Sequence, residues 1–330
     1  MSKDNTIAEF DLINNYFSGM TQQRRDVLLG VGDDAALIRV PKGMDLAVSV
    51  DTLVAGVHFF AEIPPADLGY KVLAVNLSDL AAMGAEPAWA TLALTLPKID
   101  DQWIRGFCSG FTELATGYDL QLVGGDTTAG PLSITVQVHG LIPAGQGLRR
   151  SGARVGDDIY VTGSLGDAAL ALRCKRQGMD DREALEQLRM SLDRPIPRVE
   201  AGLALRGIAT SAIDISDGLV ADLGHILKAS EVGASISLES IPVSPSVAAA
   251  RQEDGDWSMV VAEGDDYELC FTMPSDQRDQ LATIAKRAAV KITRIGVVEE
   301  GTGLRCLQRD GSLWQAEHAG FEHFSSNSGL

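Results

Sequence analysis

Asp45-Leu-Ala-Val-Ser-Val-Asp51 sets Leu46, Val48 and Val50 in alternation with smaller or polar residues. That period of two marks a strand with two unlike faces. Downstream the period changes. Residues 66–83 place Tyr70, Leu73, Leu77 and Leu80 at helical spacing, and the segment stops at Gly84. Ala88–Leu96 returns to a strand pattern, 100–117 to a helix, and Leu120–Val123 and Leu132–His139 to strands. Upstream, Phe10, Ile13 and Phe17 fit a short amphipathic helix over 10–17. Helices and strands mix without strict βαβ alternation, which predicts an α+β fold rather than a doubly wound sheet.

The pattern lapses into turn residues at Pro143-Ala-Gly-Gln-Gly147. A chain of 330 residues is long for one core, so this lapse divides it into domains at 1–143 and 144–330. Beyond it, Asp158–Thr162 reads as a strand and Ala168–Gln177 as a helix. A polar stretch follows, with Pro195 and Pro197. Ala212–Ile215 reads as a strand, Leu219–Ser230 as a helix, 257–262 and 267–273 as strands, and 276–288 as a helix before two late strands.

The chain carries 28 basic and 45 acidic residues, a net charge of −17. Such a surface repels nucleic acid and anionic membranes, which excludes both as expected partners. No run approaches the ~18–20 apolar residues of a membrane span, and Met1-Ser-Lys-Asp-Asn-Thr6 lacks the pattern of a secretory leader. Cys108, Cys174, Cys270 and Cys306 are scattered, with no CxxC pair. They fit a reducing cytoplasm better than a disulfide or zinc framework.

Carboxylates recur beside glycine where strands or loops turn: Gly32-Asp33-Asp34, Val50-Asp51-Thr52, Ser78-Asp79, Gly124-Gly125-Asp126-Thr-Thr128, Asp214-Ile-Ser-Asp217-Gly218 and Gly264-Asp265-Asp266-Tyr-Glu268. Taken singly, each reads as a turn or a helix cap. Asp217 could cap the helix starting near Leu219, and Gly156-Asp157-Asp158, Asp167 and Asp193 read as structural. Together, six acidic clusters against apolar elements supply the hard oxygens that Mg²⁺ takes alongside water and phosphate. Bound cations would also reconcile an acidic protein with an anionic substrate. There is no P-loop, kinase catalytic loop, HExxH or Gly-x-Ser-x-Gly elbow. Gly30-Val-Gly32 lacks the third glycine of a dinucleotide fingerprint.

The six clusters lie in a wider series: Leu29-Gly-Val-Gly-Asp-Asp-Ala-Ala-Leu37, Ser49-Val-Asp-Thr-Leu-Val-Ala-Gly-Val-His-Phe59, Lys71-Val-Leu-Ala-Val-Asn-Leu-Ser-Asp-Leu-Ala-Ala-Met-Gly-Ala85, Leu122-Val-Gly-Gly-Asp-Thr-Thr128, Asp214-Ile-Ser-Asp-Gly-Leu219 and Gly264-Asp-Asp-Tyr-Glu-Leu269. In order and spacing this series resembles the bacterial thiamine-monophosphate kinases, over roughly residues 5–325. The resemblance implies a two-domain fold like that of aminoimidazole-ribonucleotide synthetase, with the N-terminal sheet closing into a barrel across a homodimer. It also implies ATP and several Mg²⁺ ions as cofactors and thiamine monophosphate as acceptor. By motif, Asp34, Ser49, Asp51, Asp79, Asp126, Asp214 and Asp217 would be metal ligands, with Val50 acting through its backbone. Gly125, Asp126, Arg150 and Ser216 would contact ATP, and His58, Asp265 and His318 would line the thiamine site. Three positions depart from the family pattern: Val50 stands for Thr, Asp265 for Glu, and His318 for an aromatic.

A phosphate acceptor is largely deprotonated at neutral pH, its second pKa being near ~6, so direct transfer needs positioning and charge neutralisation rather than a general base. Sister activities are disfavoured. A selenophosphate synthetase would carry an N-terminal reactive Cys, the hydrogenase-maturation member a cysteine tail, and His58 with Gly264–Glu268 argues against the purine-pathway synthetase. A cation-binding module would show no ATP turnover, and a metal-dependent phosphatase would release phosphate without an acceptor.

Overall fold

The computed structural model describes residues 13–179, 183–254 and 256–314. The chain parts into two compact units. The first runs through Ala144 apart from Ala81–Ala85, and the second comprises Ala81–Ala85 with the chain from Gly145.

In the first unit, strands β1 (Val27–Leu29) and β2 (Leu37–Ile38) form a two-stranded ribbon. The main sheet combines β3 (Met44–Val54), β4 (Glu86–Leu96), β5 (Gln121–Ala129) and β6 (Ser133–Pro143) in the order β3-β6-β4-β5. Only β4 and β5 pair in parallel. Helices α1 (Pro65–Ala82), whose last two residues fall in the second unit, and α2 (Asp101–Gly117) accompany the sheet. One face of the sheet buries Ile134, Val136, Val138, Leu92, Leu94 and Leu96. Hydrogen bonds from β3 to α1 mark that face as the one α1 covers. The two helices cross closely: a Cβ on Gly69 would lie 2.0 Å from the Phe107 carbonyl oxygen, and one on Gly110 would lie 1.7 Å from that of Ala66. Glycine is what allows this approach.

The strand alternation and helical spacing read from 45–96 are present, with β3 running to Val54. Two details differ. Gly124-Gly125-Asp126-Thr-Thr128, turn-like in composition, lies inside β5, because parallel pairing to β4 holds it extended. Of the expected helix over 10–17, the described part, Ile13–Phe17, is a single π-helical turn.

The second unit holds a seven-stranded mixed sheet of β7 (Asp158–Thr162), β8 (Ser211–Ile215), β9 (Gly233–Ser237), β10 (Glu268–Met273), β11 (Ile292–Glu299), β12 (Gly303–Leu307) and β13 (Leu313–Trp314), in the order β13-β12-β9-β11-β7-β10-β8. Its helices are α3 (Asp167–Arg176), α4 (Glu183–Asp193), α5 (Val199–Leu205), α6 (Leu219–Ser230), α7 (Pro245–Asp254), α8 (Ser258–Val261) and α9 (Leu281–Ala288). An apolar core joins the sheet to α3 and α6 through Ile159 and Val161, Leu170 and Ala171, and Leu219, Leu223 and Ile226. The expected strand at 257–262 is the helical turn α8, whose Val260 and Val261 amides both donate to the Trp257 carbonyl. A short apolar run fits either period equally well.

Asp157 has the structural role expected of it: it is buried and accepts hydrogen bonds from the Arg154 amide at 2.9 Å and the Thr210 hydroxyl at 2.6 Å. Asp193 is buried against Arg189 at 3.3 Å.

Candidate functional site

Alternation along β3 sends Ser49 and Asp51 to the face covered by α1, and Val50 to the other face. On α1, Asn76 and Asp79 stand three residues apart, on one side of the helix. The Ser49 hydroxyl donates to Asp79 Oδ2 at 2.5 Å, and the Asp51 amide donates to Asn76 Oδ1 at 3.1 Å. Ser49, Asp51 and Asp79 are therefore brought together. After β3 the chain turns so that His58 Nδ1 accepts from the Val54 amide at 3.0 Å, which puts the proton of a neutral ring on Nε2. Asp34 is exposed in the β1–β2 connection, its amide donating to Asp33 Oδ1 at 2.8 Å.

Asp126 lies elsewhere. Register carries Thr52 through Thr135 and Ala93 to Asp126, so it shares the face opposite to Ser49 and Asp51, on the far edge strand of the sheet. Within one chain, Asp126 does not join the Ser49–Asp79 group. Gly125 beside it has a packing reason to be glycine: a Cβ there would sit 1.9 Å from the Leu92 carbonyl oxygen.

In the second unit, Asp214 is the penultimate residue of β8, opposite Leu269 of β10, and Ser216-Asp217-Gly218 leads into α6. Asp217 does not cap this helix. The cap is Gly218, without a side-chain bond. Instead, Asp222 in the first turn reaches back, and its Oδ2 accepts from the amides of Ser216, Asp217 and Gly218 at 3.0, 3.1 and 3.1 Å. Burial pushes the Asp222 carboxyl up to about 7; the Asp217 charge adds to this and the three amides oppose it.

The Gly264–Glu268 segment packs on the same loop. The Asp265 amide donates to the Ser216 carbonyl at 2.9 Å and the Tyr267 amide to that of Ile215 at 2.8 Å. Asp265 and Tyr267 both adopt left-handed backbone, with φ of 68° and 50°. Such strain persists only where surrounding structure enforces it, often at functional loops. The Tyr267 hydroxyl fixes Asp265 through Oδ1 at 2.9 Å. Between them, Asp266 accepts from the Gly166 amide at 2.9 Å through Oδ1, while its buried Oδ2 has no hydrogen-bond partner among the described residues. Burial, and then the charges of Glu268, Asp167 and Asp265, hold this carboxyl well above the usual range. Arg150 is exposed, makes no ion pair among the described residues, and has its carbonyl bonded by the Ser230 hydroxyl at 3.4 Å. His318 lies outside the described residues.

Sequence reading missed Asp222 and Asp266. An acidic residue in the first turn after Asp-Gly was the available signal for Asp222; Asp266 had none beyond its place in the acidic run. Among the described residues, no three His, Cys, Asp or Glu side chains are gathered as a ready metal cage. The donors present are nonetheless of the right chemistry. Mg²⁺ takes one or two carboxylates and leaves the rest of its shell to water and phosphate, as the Ser49–Asp79 contact and the Asp214–Asp217 loop allow.

Residues 32–142 match the AIR synthase related protein N-terminal domain, and residues 154–307 match its C-terminal domain. The thiamine-monophosphate kinase of Escherichia coli (strain K12) is 48% identical over 321 residues, covering 97% of this chain and 99% of that one. The crystal structure of thiamine-monophosphate kinase from Stenotrophomonas maltophilia K279a superposes with a TM-score of 0.86 at 47% identity, covering 93% of this chain and 98% of its own. AaThiL complexed with AMPPCP and TMP superposes with a TM-score of 0.76 at 30% identity, covering 96% and 97%.

Proposed function

Because this chain belongs to the thiamine-monophosphate kinase family, we infer that it transfers the γ-phosphate of ATP to thiamine monophosphate, giving thiamine diphosphate and ADP. The observation that carries this reading is likeness along nearly the whole length, in sequence and in fold, to proteins of that name. A relative bound to AMPPCP and TMP supports both the donor and the acceptor.

The acceptor oxygen is already anionic, its phosphate having a second pKa near ~6. The protein's task is then to align two polyanions and limit their repulsion. Magnesium, when bound with the nucleotide, neutralises part of that charge. In the first unit Asp34, Ser49, Asp51 and Asp79, with the Val50 carbonyl, are the candidate ligands, and Asp126 is a separate candidate on the opposite face of the sheet; Asp214 and Asp217 are the candidates of the second unit. Gly125, Asp126, Arg150 and Ser216 are the nucleotide-contacting candidates, and the Arg150 guanidinium can fork onto phosphate oxygens. His58 and Asp265, the latter fixed by Tyr267, are assigned to thiamine; the Asp265 carboxylate suits a cationic thiazolium. No residue need become phosphorylated.

Residues 1–143 would carry dimerisation and most of the metal ligands, and 144–330 the remainder. Exposed Leu46, Val48 and Val50 on the uncovered face of the edge strand β3 support a homodimer in which that sheet closes into a barrel. Four free thiols fit a cytoplasmic setting, and no helix among the described residues is long and apolar enough to cross a membrane.

The test is ATP turnover with Mg²⁺ in the presence of thiamine monophosphate, thiamine, or neither, with products identified. Thiamine diphosphate and ADP should appear together, and only with the monophosphate. ADP release without thiamine diphosphate would overturn the acceptor.

A further inference from the structure

Three consecutive amides, those of Ser216, Asp217 and Gly218, converge on one oxygen of Asp222. Successive N–H groups arranged this way form a concavity that binds anions, and the start of a helix adds to the pull. Here that concavity is filled from inside. Asp222 is 3% exposed, fixed on the first turn of α6 and packed beside the core residues Leu219 and Leu223. The loop's amides are therefore spent within the fold.

Two of its carbonyls are spent too. Those of Ile215 and Ser216 take the Tyr267 and Asp265 amides, and Gly264 approaches so closely that a Cβ there would lie 2.0 Å from the Ser216 oxygen. With this much of the backbone saturated, the chemistry left to the loop is that of its side chains: the Asp214 and Asp217 carboxylates and the Ser216 hydroxyl.

We propose that Asp222 is a positioning residue for phosphoryl transfer: by occupying the amide concavity it converts a phosphate-type loop into one that offers hard oxygens to a cation-bound nucleotide. This rests on the kinase reading above. Asp222 touches neither substrate nor the reacting phosphate; it acts through Asp214, Ser216 and Asp217. Without it, three amides, that of Gly218 buried and those of Ser216 and Asp217 half-buried, lose their acceptor, and the loop is free to turn them outward.

The experiment compares Asp222→Asn with Asp222→Ala and Asp222→Ser in the full chain. The amide oxygen of Asn can accept the same three N–H bonds; the two truncations cannot reach them. Binding of magnesium with a non-hydrolysable ATP analogue is measured by calorimetry, alongside KM for both substrates, cooperative melting and hydrogen exchange of the 216–218 amides. The Asn variant should keep amide protection and bind the nucleotide within about threefold of wild type, whereas truncation should weaken binding by about 30-fold with melting still cooperative. KM for thiamine monophosphate should move far less than KM for ATP.

Truncations that bind nucleotide like wild type overturn the proposal, as does an Asn variant as defective as Ala. Loss of cooperative melting in both truncations overturns it in favour of a purely architectural role. Wild-type protein that binds the nucleotide but does not phosphorylate thiamine monophosphate would defeat the kinase reading while leaving the binding comparison intact.

Discussion

Asp79 in the first unit and Asp217 in the second carry the same chemical group, but the fold holds them in place differently. Asp79 reaches from α1 to the Ser49 hydroxyl on β3, and the neighbouring Asp51 amide meets the Asn76 side chain. The contact is made by side chains across a helix–strand gap. Asp217 rides on a loop whose amides end on Asp222 and whose carbonyls receive Asp265 and Tyr267. There the main chain itself is locked. The first arrangement should tolerate small backbone shifts and fail when a side chain is exchanged. The second should be most sensitive to whatever moves its backbone, including changes at residues with no functional group.

Gly264→Ala is the sharpest way to break the second arrangement. Its new methyl would meet the Ser216 carbonyl oxygen at 2.0 Å, with the carbon of that carbonyl at 2.9 Å, and the obstacle is backbone rather than a flexible side chain. Overpacking of this kind costs about 3 kcal/mol, and displacing the loop by about 1 Å should lower turnover roughly 100-fold. A denaturation midpoint and kcat both close to wild type would show that the loop is not locked as described.

In the first unit the corresponding change is Asp79→Asn. The amide oxygen can still accept from Ser49, so folding should be unaffected while the charge is lost. Turnover should fall on the order of 100-fold, and Asp126→Asn should act similarly; Ser49→Ala, which removes only a neutral partner, should cost on the order of 10-fold. A melting temperature lowered in step with activity in Asp79→Asn would place the residue among structural carboxylates instead. Near-normal turnover in both Asn variants would remove the proposed ligands.

This contrast explains what was legible in the sequence. Strand β3 and helix α1 announce themselves through Leu46, Val48 and Val50 at a period of two and Leu73, Leu77 and Leu80 at helical spacing, because local periodicity follows directly from which face is buried. The candidate carboxylates were legible as a series. Their grouping was not: that Asp126 sits on the opposite face from Asp51 depends on the register of β3, β6, β4 and β5, which links residues far apart in the chain. Composition also misled at Gly124–Thr128, where turn residues lie in a strand held by its neighbour. Asp222 was invisible for a related reason. Its role exists only once three amides have been folded towards it, and in sequence Asp217 is the residue that reads as a cap for the helix near Leu219.

The smallest expected effect concerns two carboxylates outside either group, and it extends the comparison to acid stability. Burial alone would raise Asp158, but hydrogen bonds and charge from Arg278 and Arg294 bring its carboxyl below the usual value. Asp26 in the first unit behaves alike on a lesser scaffold: burial opposes, and Arg24 with the Trp89 indole lowers. A carboxyl depressed in the folded state binds fewer protons there than in the unfolded chain. Its stabilisation is therefore complete above the unfolded pKa of about 3.9 and disappears as pH falls through the folded value. Asp158→Asn should thus lower the urea midpoint at pH 7, and its difference from wild type should shrink progressively below about pH 4. Asp26→Asn should show the same trend with a smaller amplitude, since one arginine rather than two is at stake. A difference that stays constant from pH 7 to about pH 3 would mean that the arginines stabilise the second unit by packing and hydrogen bonding, independently of the Asp158 charge.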